Sequence, residues 1–178
     1  MNLVLEPTSP GVVKNSDRNA EIRARLRADA DIVLLTSYCA RSIRRDFNIV
    51  SAKMYVFGLK RSFKAELKER LDDLEFEVAI LETELTDVMH LDVSPLTPNT
   101  YQLSVVSRES AQMLRILAKS DYLLARLYVA QFLGLMTREE RYLRMRSFAR
   151  SYDAFKRFAM RIKSMTLDEM MDEVHVQT

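Results

Sequence analysis

The clearest pattern of hydrophobic and polar positions is a repeat in the middle of the chain. Seven aliphatic residues recur at alternating spacings of four and three: Leu67, Leu71, Leu74, Val78, Leu81, Leu85 and Val88. This spacing places them along one side of a helix, which we predict over residues 60–90. Because the repeat lasts only about three heptads, packing against another helix of the same chain is favoured over pairing with a second copy.

Short apolar runs predict two or three strands. Residues 31–38 contain the run Ile-Val-Leu-Leu, although residues 39–47 that follow could equally be helix. Residues 53–59, Lys-Met-Tyr-Val-Phe-Gly-Leu, are rich in aromatic and β-branched side chains, which favour strands. Residues 101–107 alternate between apolar and polar, as a half-buried strand does.

Capping residues divide the second half of the chain into helices. Ser107 can cap one helix, a break is expected at Ser120-Asp121, and Gly134 suits the end of the helix after that break. Thr137 with Glu140 forms a capping-box pattern that predicts a helix over residues 138–163. The buried stripe expected on that helix is Leu143, Phe148, Tyr152, Phe155 and Ile162.

These elements predict a mainly α (α+β) fold, a helical domain with two or three short strands. Residues 1–20 contain Pro7, Pro10 and Gly11 and are interpreted as a flexible arm, and residues 21–30 as a short arginine-rich helix. Residues 21–165 form the single predicted domain. Residues 166–178 are predicted to form a short C-terminal helix, begun by a Thr166/Glu169 capping box, and an acidic tail.

Composition excludes several classes of protein. Apolar residues make up 48% of the chain and charged residues 29%, which is typical of a folded globule. No apolar run approaches the roughly 20 residues of a membrane span, and Glu6 and Pro7 stand where a secretory signal needs basic and apolar residues. A cytoplasmic protein without membrane contact is expected. The lone Cys39 is interpreted as core packing.

The residues needed for common catalytic sites are missing. Three glycines are too few for a phosphate loop, a dinucleotide fingerprint or a nucleophile elbow. His90, His175 and Cys39 lack the spacing of zinc ligands. The carboxylates of residues 72–92 fall mostly off the apolar repeat and are interpreted as a solvated helix face. We therefore expect no enzyme activity, no metal and no cofactor.

Charge is gathered in blocks along the chain. Residues 41–70 hold nine basic and three acidic residues, residues 72–92 hold eight acidic and no basic ones, and residues 138–163 again hold nine basic and three acidic ones. The tail over residues 168–173 is acidic. Such blocks create separate surface fields, of which the positive ones suit phosphates.

The first basic block predicts a double-stranded DNA site. Lys60, Arg61 and Lys64 begin a predicted helix, where the helix dipole prefers anions, so bound phosphate would relieve the repulsion. The other predicted contacts are Lys53 and Tyr55 on a groove-facing strand, with Arg41, Arg44 and Arg45 extending the footprint. The alternative is that these side chains form an ordinary solubilising surface.

A strand followed by two helices is also the unit of the ribbon-helix-helix fold, in which strands from two protomers enter the major groove. Residues 101–134 match that order best but carry little charge, whereas residues 53–70 carry the charge but lack a break between helices. We expect residues 53–70 to contact DNA and residues 101–134 to serve dimerisation or to pair beside them.

The chain resembles the AcaB-like transcriptional regulators of conjugative plasmids and integrating conjugative elements. The similarity lies in residues 56–59 (Val-Phe-Gly-Leu) followed by Phe63, in the repeat helix after them, in residues 114–127 around Asp121-Tyr122, and in residues 36–43. It spans roughly residues 32–158 and contains no catalytic motif. The resemblance implies a homodimeric activator of conjugative transfer genes with a ribbon-helix-helix-like element, and it supplies no site residue. The rival hypothesis is a scaffold or adaptor of the conjugation machinery that uses the apolar repeat and the acidic face.

Overall fold

Five helices and a two-stranded sheet make up the part of the chain that the structure describes, residues 10–20, 22 and 27–161 of this computed structural model. In chain order they are α1 (Ser16–Ala20), β1 (Ala28–Leu34), α2 (Ser37–Phe57), α3 (Arg61–Glu84), β2 (Asn99–Val105), α4 (Arg108–Phe132) and α5 (Arg138–Met160). The fold is mainly helical, as the hydrophobic pattern predicts.

The four long helices surround one core. α4 packs between α2 and α3, and α5 packs against the same two helices from the other side. Phe47, Leu71, Leu117 and Phe148, one from each helix, are almost completely buried. The bundle therefore hides the apolar side of every long helix, which leaves their charged sides to form the surface.

The apolar repeat of α3 faces the inside of this bundle. All seven repeat residues, Leu67 to Val88, are buried, so the predicted packing within the same chain is confirmed. α3 itself ends at Glu84, and the last two repeat residues lie in the turns that follow. Because the repeat is occupied inside its own bundle, it offers no surface for a partner protein.

Replacing Val78 with alanine should lower the free energy of unfolding by about 2 kcal/mol, because Val78 is fully buried against the other helices. Phe76, two positions earlier on α3, is 66% exposed and provides the matched control. Denaturant melts followed by circular dichroism should show almost no change for Phe76→Ala. Equal melts for the two variants would contradict this packing of α3.

The sheet joins the beginning of the chain to its middle. β1 pairs with β2 in antiparallel register, with Ile32 opposite Tyr101 and Ala30 opposite Leu103. The alternation predicted for residues 101–107 is confirmed, since Tyr101 and Leu103 are buried. The apolar run predicted as a buried strand in residues 31–38 is buried on one face only, because Ile32 is buried but Val33 is 58% exposed. Ala28–Ala30 belong to β1, so the helix predicted over residues 21–30 is wrong for that part. Residues 21 and 23–26 lie outside the described residues.

Residues 10–20, which the sequence assigns to a flexible arm, pack against this sheet and against α2. The backbone N–H of Gly11 donates to the Thr100 carbonyl at 2.7 Å, and the buried Asn19 amide donates to the Asn48 side chain at 2.9 Å. Val13 is buried as well. Residues 1–9 of the predicted arm lie outside the described residues.

The strand predicted over residues 53–59 is wrong, because α2 continues through most of it. Ile43, Phe47, Val50 and Met54 are buried at spacings of three and four, so the helical period of α2 extends into the predicted strand and overrides its β-favouring composition. The N–H of Gly58 donates to the Met54 carbonyl where the helix ends. Residues 53–70 therefore do not provide a ribbon strand for DNA.

The break predicted at Ser120-Asp121 is also wrong, because α4 is one continuous helix. The Ser120 hydroxyl donates to the Ile116 carbonyl at 2.7 Å within the helix, as a buried serine without another partner can. The strand before α4 pairs with β1 of the same chain. Residues 101–134 therefore do not form a strand–helix–helix unit either. The predicted cap at Ser107 and the helix end at Gly134, which has a φ of 73°, are confirmed.

Asp121 reaches out of α4 to cap the start of α2. Its carboxylate accepts hydrogen bonds from the Leu35 N–H at 2.7 Å, the Thr36 N–H at 2.9 Å and the Thr36 hydroxyl at 2.6 Å. The Thr36 hydroxyl in turn accepts from the Cys39 N–H at the N-terminus of α2. Burial raises the pKa of Asp121, although the hydrogen bonds from Thr36 and Leu35 act in the opposite direction.

The capping box at Thr137 and Glu140 is confirmed as the start of α5, which ends at Met160. Phe148, Tyr152 and Phe155 are buried as predicted, but Leu143 is 61% exposed, and Met145 takes its place in the core. Arg161 follows in the left-handed conformation. Ile162 and the predicted Thr166/Glu169 capping box lie outside the described residues.

Candidate nucleic-acid interface

The structure separates the eight predicted DNA contacts into groups. Arg41, Arg44 and Arg45 lie in the first half of α2, whereas Lys60, Arg61 and Lys64 lie at the turn into α3. Arg45 and Lys60 are 15 residues apart, most of them helical, which corresponds to about 22 Å along the helix axis. A single cluster of all eight side chains is therefore not formed.

The group at the start of α3 keeps two cations free. Lys60 occupies the N-cap position of α3 and makes no capping hydrogen bond with its side chain. Lys60 and Arg61 are exposed and form no ion pair within the described part of the chain. Lys64, 60% exposed, lies 3.7 Å from the Glu109 carboxylate. The group can attract an anion, but only with a reduced charge.

Lys53 and Tyr55 are half-buried residues of α2, so their predicted position on a groove-facing strand is wrong. The Lys53 ammonium donates to the carbonyl of Met160 at 3.2 Å and lies 5.9 Å from the centre of the Phe57 ring. Lys53 thus satisfies the C-terminal end of α5, where the helix dipole favours a cation. Its role in the fold is to join α2 to α5.

The largest concentration of arginine lies along α5. A groove of about 950 Å³ runs beside this helix. Its charged lining consists of four arginines and one aspartate: Arg70, Arg146, Arg150, Arg157 and Asp153. Arg146, Arg150 and Arg157 are spaced four and seven positions apart, which places them on the same side of the helix. We call this feature the α5 groove.

Two of the four arginines in the α5 groove are already engaged. The Arg157 Nε donates to Asp153 at 2.9 Å, and Arg70 lies 3.4 Å from Glu66 and over the ring of Phe158 at 5.0 Å. Partial burial raises the pKa of Asp153, but Lys156 and Arg157 outweigh it, so the pKa lies below its usual range. Asp153 therefore stays ionised and offsets part of the charge.

Arg146 and Arg150 are the free cations of the α5 groove. Both are exposed, and neither has an ion pair or hydrogen-bond partner among residues 10–20, 22 and 27–161. The exposed Tyr142 lies one turn before Arg146, and Tyr38 lines the groove from α2. Guanidinium groups next to aromatic rings suit phosphates and bases, because arginine donates two parallel hydrogen bonds and the rings stack.

The first half of α2 extends this positive surface. Asp46 accepts from the Arg45 Nε at 2.8 Å and from the Lys156 ammonium of α5 at 3.3 Å, so Arg45 lies beside α5. Arg41 is one turn before Arg45 on the same side of α2 and is exposed without an ion pair in the described chain. Partial burial raises the pKa of Asp46, but Arg45 and Lys156 lower it below its usual range.

Replacing Asp46 with asparagine should lower the free energy of unfolding near neutral pH by about 1–3 kcal/mol and flatten its decline in acid. The pKa of Asp46 is depressed by folding, so its contribution is fully present above the unfolded pKa and is lost as the pH falls through the folded pKa. Denaturant melts across the acidic range measure both effects. Asp31→Asn, at an exposed position of β1, is the control, and identical pH profiles for the two variants would contradict the role of Asp46.

The basic block of residues 138–163 is visible in the sequence, but the sequence alone does not single out Arg146 and Arg150. The available signal was their helical spacing after Tyr142. The missing information was which arginines are already paired. Arg144 makes two hydrogen bonds to Asp87, at 3.1 and 2.7 Å, and Arg141 lies over the Tyr128 ring at 3.9 Å. These partners are remote in sequence.

Chemistry other than anion binding finds no support in the described residues. No group of three His, Cys, Asp or Glu side chains there is arranged to hold a metal ion. Cys39 is completely buried, and burial raises the pKa of its thiol, as expected for a core residue. None of the helices in the described part of the chain has the length and apolar character to cross a membrane.

Comparison with known proteins gives a similarity of fold. No protein-family model matches the chain, and no curated protein matches it in sequence. A solved structure, the crystal structure of selenomethionine-containing AcaB from uropathogenic E. coli, matches with a TM-score of 0.66 over 76% of this chain and 78% of that chain. The two sequences are 15% identical over that match. The comparison shows a shared fold, in agreement with the resemblance to AcaB-like regulators, although the ribbon-helix-helix-like element that the resemblance implies is not formed by residues 53–70 or 101–134.

Proposed function

We propose that this protein is a DNA-binding transcriptional regulator that holds the phosphates of duplex DNA in the α5 groove. The observation that carries the proposal is the pair of exposed arginines, Arg146 and Arg150, which have no acidic partner in the described structure. Unpaired guanidinium groups on one side of a helix attract a polyanion, because each phosphate they neutralise releases condensed counterions.

The dimensions of the α5 groove favour a long polyanion over a small ligand. Arg146 and Arg157 are eleven residues apart on α5, or about 16 Å. That distance spans about five steps of one strand at 3.4 Å each. Arg41, Arg44 and Arg45 extend the interface along α2, and Lys60, Arg61 and Lys64 provide a second, more distant contact for DNA that bends or for the next half-site.

The resemblance to AcaB-like regulators supports the regulatory part of the proposal. By that resemblance the protein acts in the cytoplasm as a homodimeric activator of conjugative transfer genes. A dimer would place two α5 grooves on one duplex, and such dimers contact half-sites about one helical turn apart.

The proposal predicts binding of duplex DNA that weakens steeply with salt. If about five phosphates are neutralised, the logarithm of the affinity should fall with the logarithm of the salt concentration at a slope of about −4.5. Fluorescence anisotropy with labelled transfer-gene promoter DNA, with and without unlabelled competitor, measures both slope and specificity. Absence of binding at about 0.1 M salt would count against the proposal.

A second candidate function, an adaptor for another protein, is favoured by the turn between α4 and α5. Phe132, Leu133 and Leu135 expose 76%, 54% and 64% of their surface there. Exposed apolar residues next to each other are typical of protein-binding surfaces. An adaptor would co-purify with a partner and lose it when Phe132 and Leu135 are both changed to serine, whereas DNA binding through the α5 groove should survive those changes.

A further inference from the structure

The α5 groove lies next to the point where the acidic end of the chain departs. Arg161 follows the last turn of α5 in the left-handed conformation, φ 54° and ψ 38°, and its N–H donates to the carbonyls of Arg157 and Phe158. A left-handed residue is a common way to end a helix. Arg157 and Phe158 also line the α5 groove, so Arg161, the last described residue, lies one turn beyond the end of the groove lining.

The residues that follow are complementary in charge to the groove. Residues 162–178 contain four acidic side chains, Asp168, Glu169, Asp172 and Glu173, and one basic side chain, Lys163. The groove offers two arginines that have no partner among the described residues and two more that are only partly neutralised. A carboxylate can accept two parallel hydrogen bonds from a guanidinium, as a phosphate can.

The segment is long enough to reach. Asp168 is seven residues beyond Arg161, so an extended chain carries it up to about 23 Å. From Arg161 back along α5, Arg150 is about 16 Å away and Arg146 about 22 Å away, both within that reach. A tethered segment also has a high effective concentration at a site this near, which makes even weak ion pairs effective.

We propose that the acidic segment of residues 162–178 occupies the α5 groove of its own chain and competes there with DNA. The competition with DNA rests on the proposed function, whereas the contact between the acidic segment and the α5 groove does not. Asp168, Glu169, Asp172 and Glu173 pair with Arg146 and Arg150 in the free protein. DNA displaces them, so binding is restricted to sites whose contacts exceed the cost of displacement.

The contact is tested without DNA by attaching a nitroxide label to Val176→Cys in the full chain. Cys39 is buried with a raised pKa, so the reagent modifies the introduced thiol selectively. The label should broaden the amide NMR signals of Arg146 and Arg150 and spare those of Arg115 on the exposed side of α4. Equal broadening everywhere, or broadening that disappears on dilution with unlabelled protein, would overturn the proposal.

The competition is tested by neutralising the segment with Asp168→Asn, Glu169→Gln, Asp172→Asn and Glu173→Gln together. DNA affinity should rise about tenfold at low salt, and the selective broadening of Arg146 and Arg150 should disappear. If the quadruple variant binds DNA more tightly but the labelled protein with its acidic residues intact shows no selective broadening of Arg146 and Arg150, the gain is a general charge effect. That outcome refutes the contact. If the contact is found but no variant binds DNA, the proposed function fails and the intramolecular contact stands.

Discussion

Replacing both Arg146 and Arg150 with alanine should weaken duplex DNA binding about 100-fold and lower the salt slope by about two. Each arginine is expected to make a charge-assisted contact with one phosphate, worth about 1.5 kcal/mol or more, and to release about one counterion. Both side chains are exposed on α5, so their loss should leave the fold intact. Anisotropy titrations at several salt concentrations measure both quantities.

A matched control removes the same charge elsewhere. Arg108 and Arg115 are exposed on α4, do not line the α5 groove and have no ion pair in the described chain. Alanine at both positions should reduce affinity only a few-fold through the weaker overall field. If Lys60, Arg61 and Lys64 changed together to alanine abolish binding while the Arg146 and Arg150 variant binds normally, the interface lies at the start of α3 instead.

Replacing Asp121 with alanine should lower the free energy of unfolding by about 4 kcal/mol, because it leaves three hydrogen-bond donors without a partner at the start of α2. These donors are the Leu35 N–H, the Thr36 N–H and the Thr36 hydroxyl. Thr36 is completely buried, so water does not replace the lost carboxylate without rearrangement. Chemical denaturation followed by circular dichroism measures the loss.

The contribution of Asp121 to the free energy of unfolding depends on pH in a direction that its pKa shift fixes. Burial raises the pKa of Asp121 above its unfolded value, so the folded chain holds the proton more tightly. The stability gained in this way is fully present below the unfolded pKa and is lost as the pH rises through the folded pKa. Asp121→Asn should remove this dependence. Ser120→Ala, whose hydroxyl bonds only within α4, is the control and should cost less than about 1 kcal/mol.

Features that depend on residues close together in the sequence were predicted correctly. The repeat of α3 depends on side chains three and four positions apart, and the caps at Ser107 and Thr137 depend on residues within one turn. The strand prediction for residues 53–59 was wrong because their composition favours a strand, whereas the helical spacing of buried residues in α2 begins ten residues earlier and continues through them. Asp121 has the appearance of a helix breaker until its partners, 85 and 86 positions away, are known.

The binding surface was harder to predict for the same reason. A block of positive charge is visible in the sequence, but ion pairing decides which cations remain available. Arg144 is paired with Asp87, 57 positions away, and Lys156 with Asp46, 110 positions away. Only the folded chain shows that Arg146 and Arg150 lack such partners in the part of the chain that the structure describes. Charge counting therefore identified two basic regions, but it could not show which cations of either region are paired in the folded chain.

The pairing of β1 with β2 also affects folding during synthesis on the ribosome. Ile32 leaves the ribosome well before its partner Tyr101, and Thr36 well before Asp121. At about 5–20 residues per second, Ile32 waits about 3–14 seconds for Tyr101, 69 positions later, and Thr36 waits about 4–17 seconds for Asp121, 85 positions later. During that time the edge of β1 is unpaired and open to association with other chains. We therefore expect the newborn N-terminal third to depend on chaperones, and the full chain to refold slowly from denaturant for a helical protein of this size.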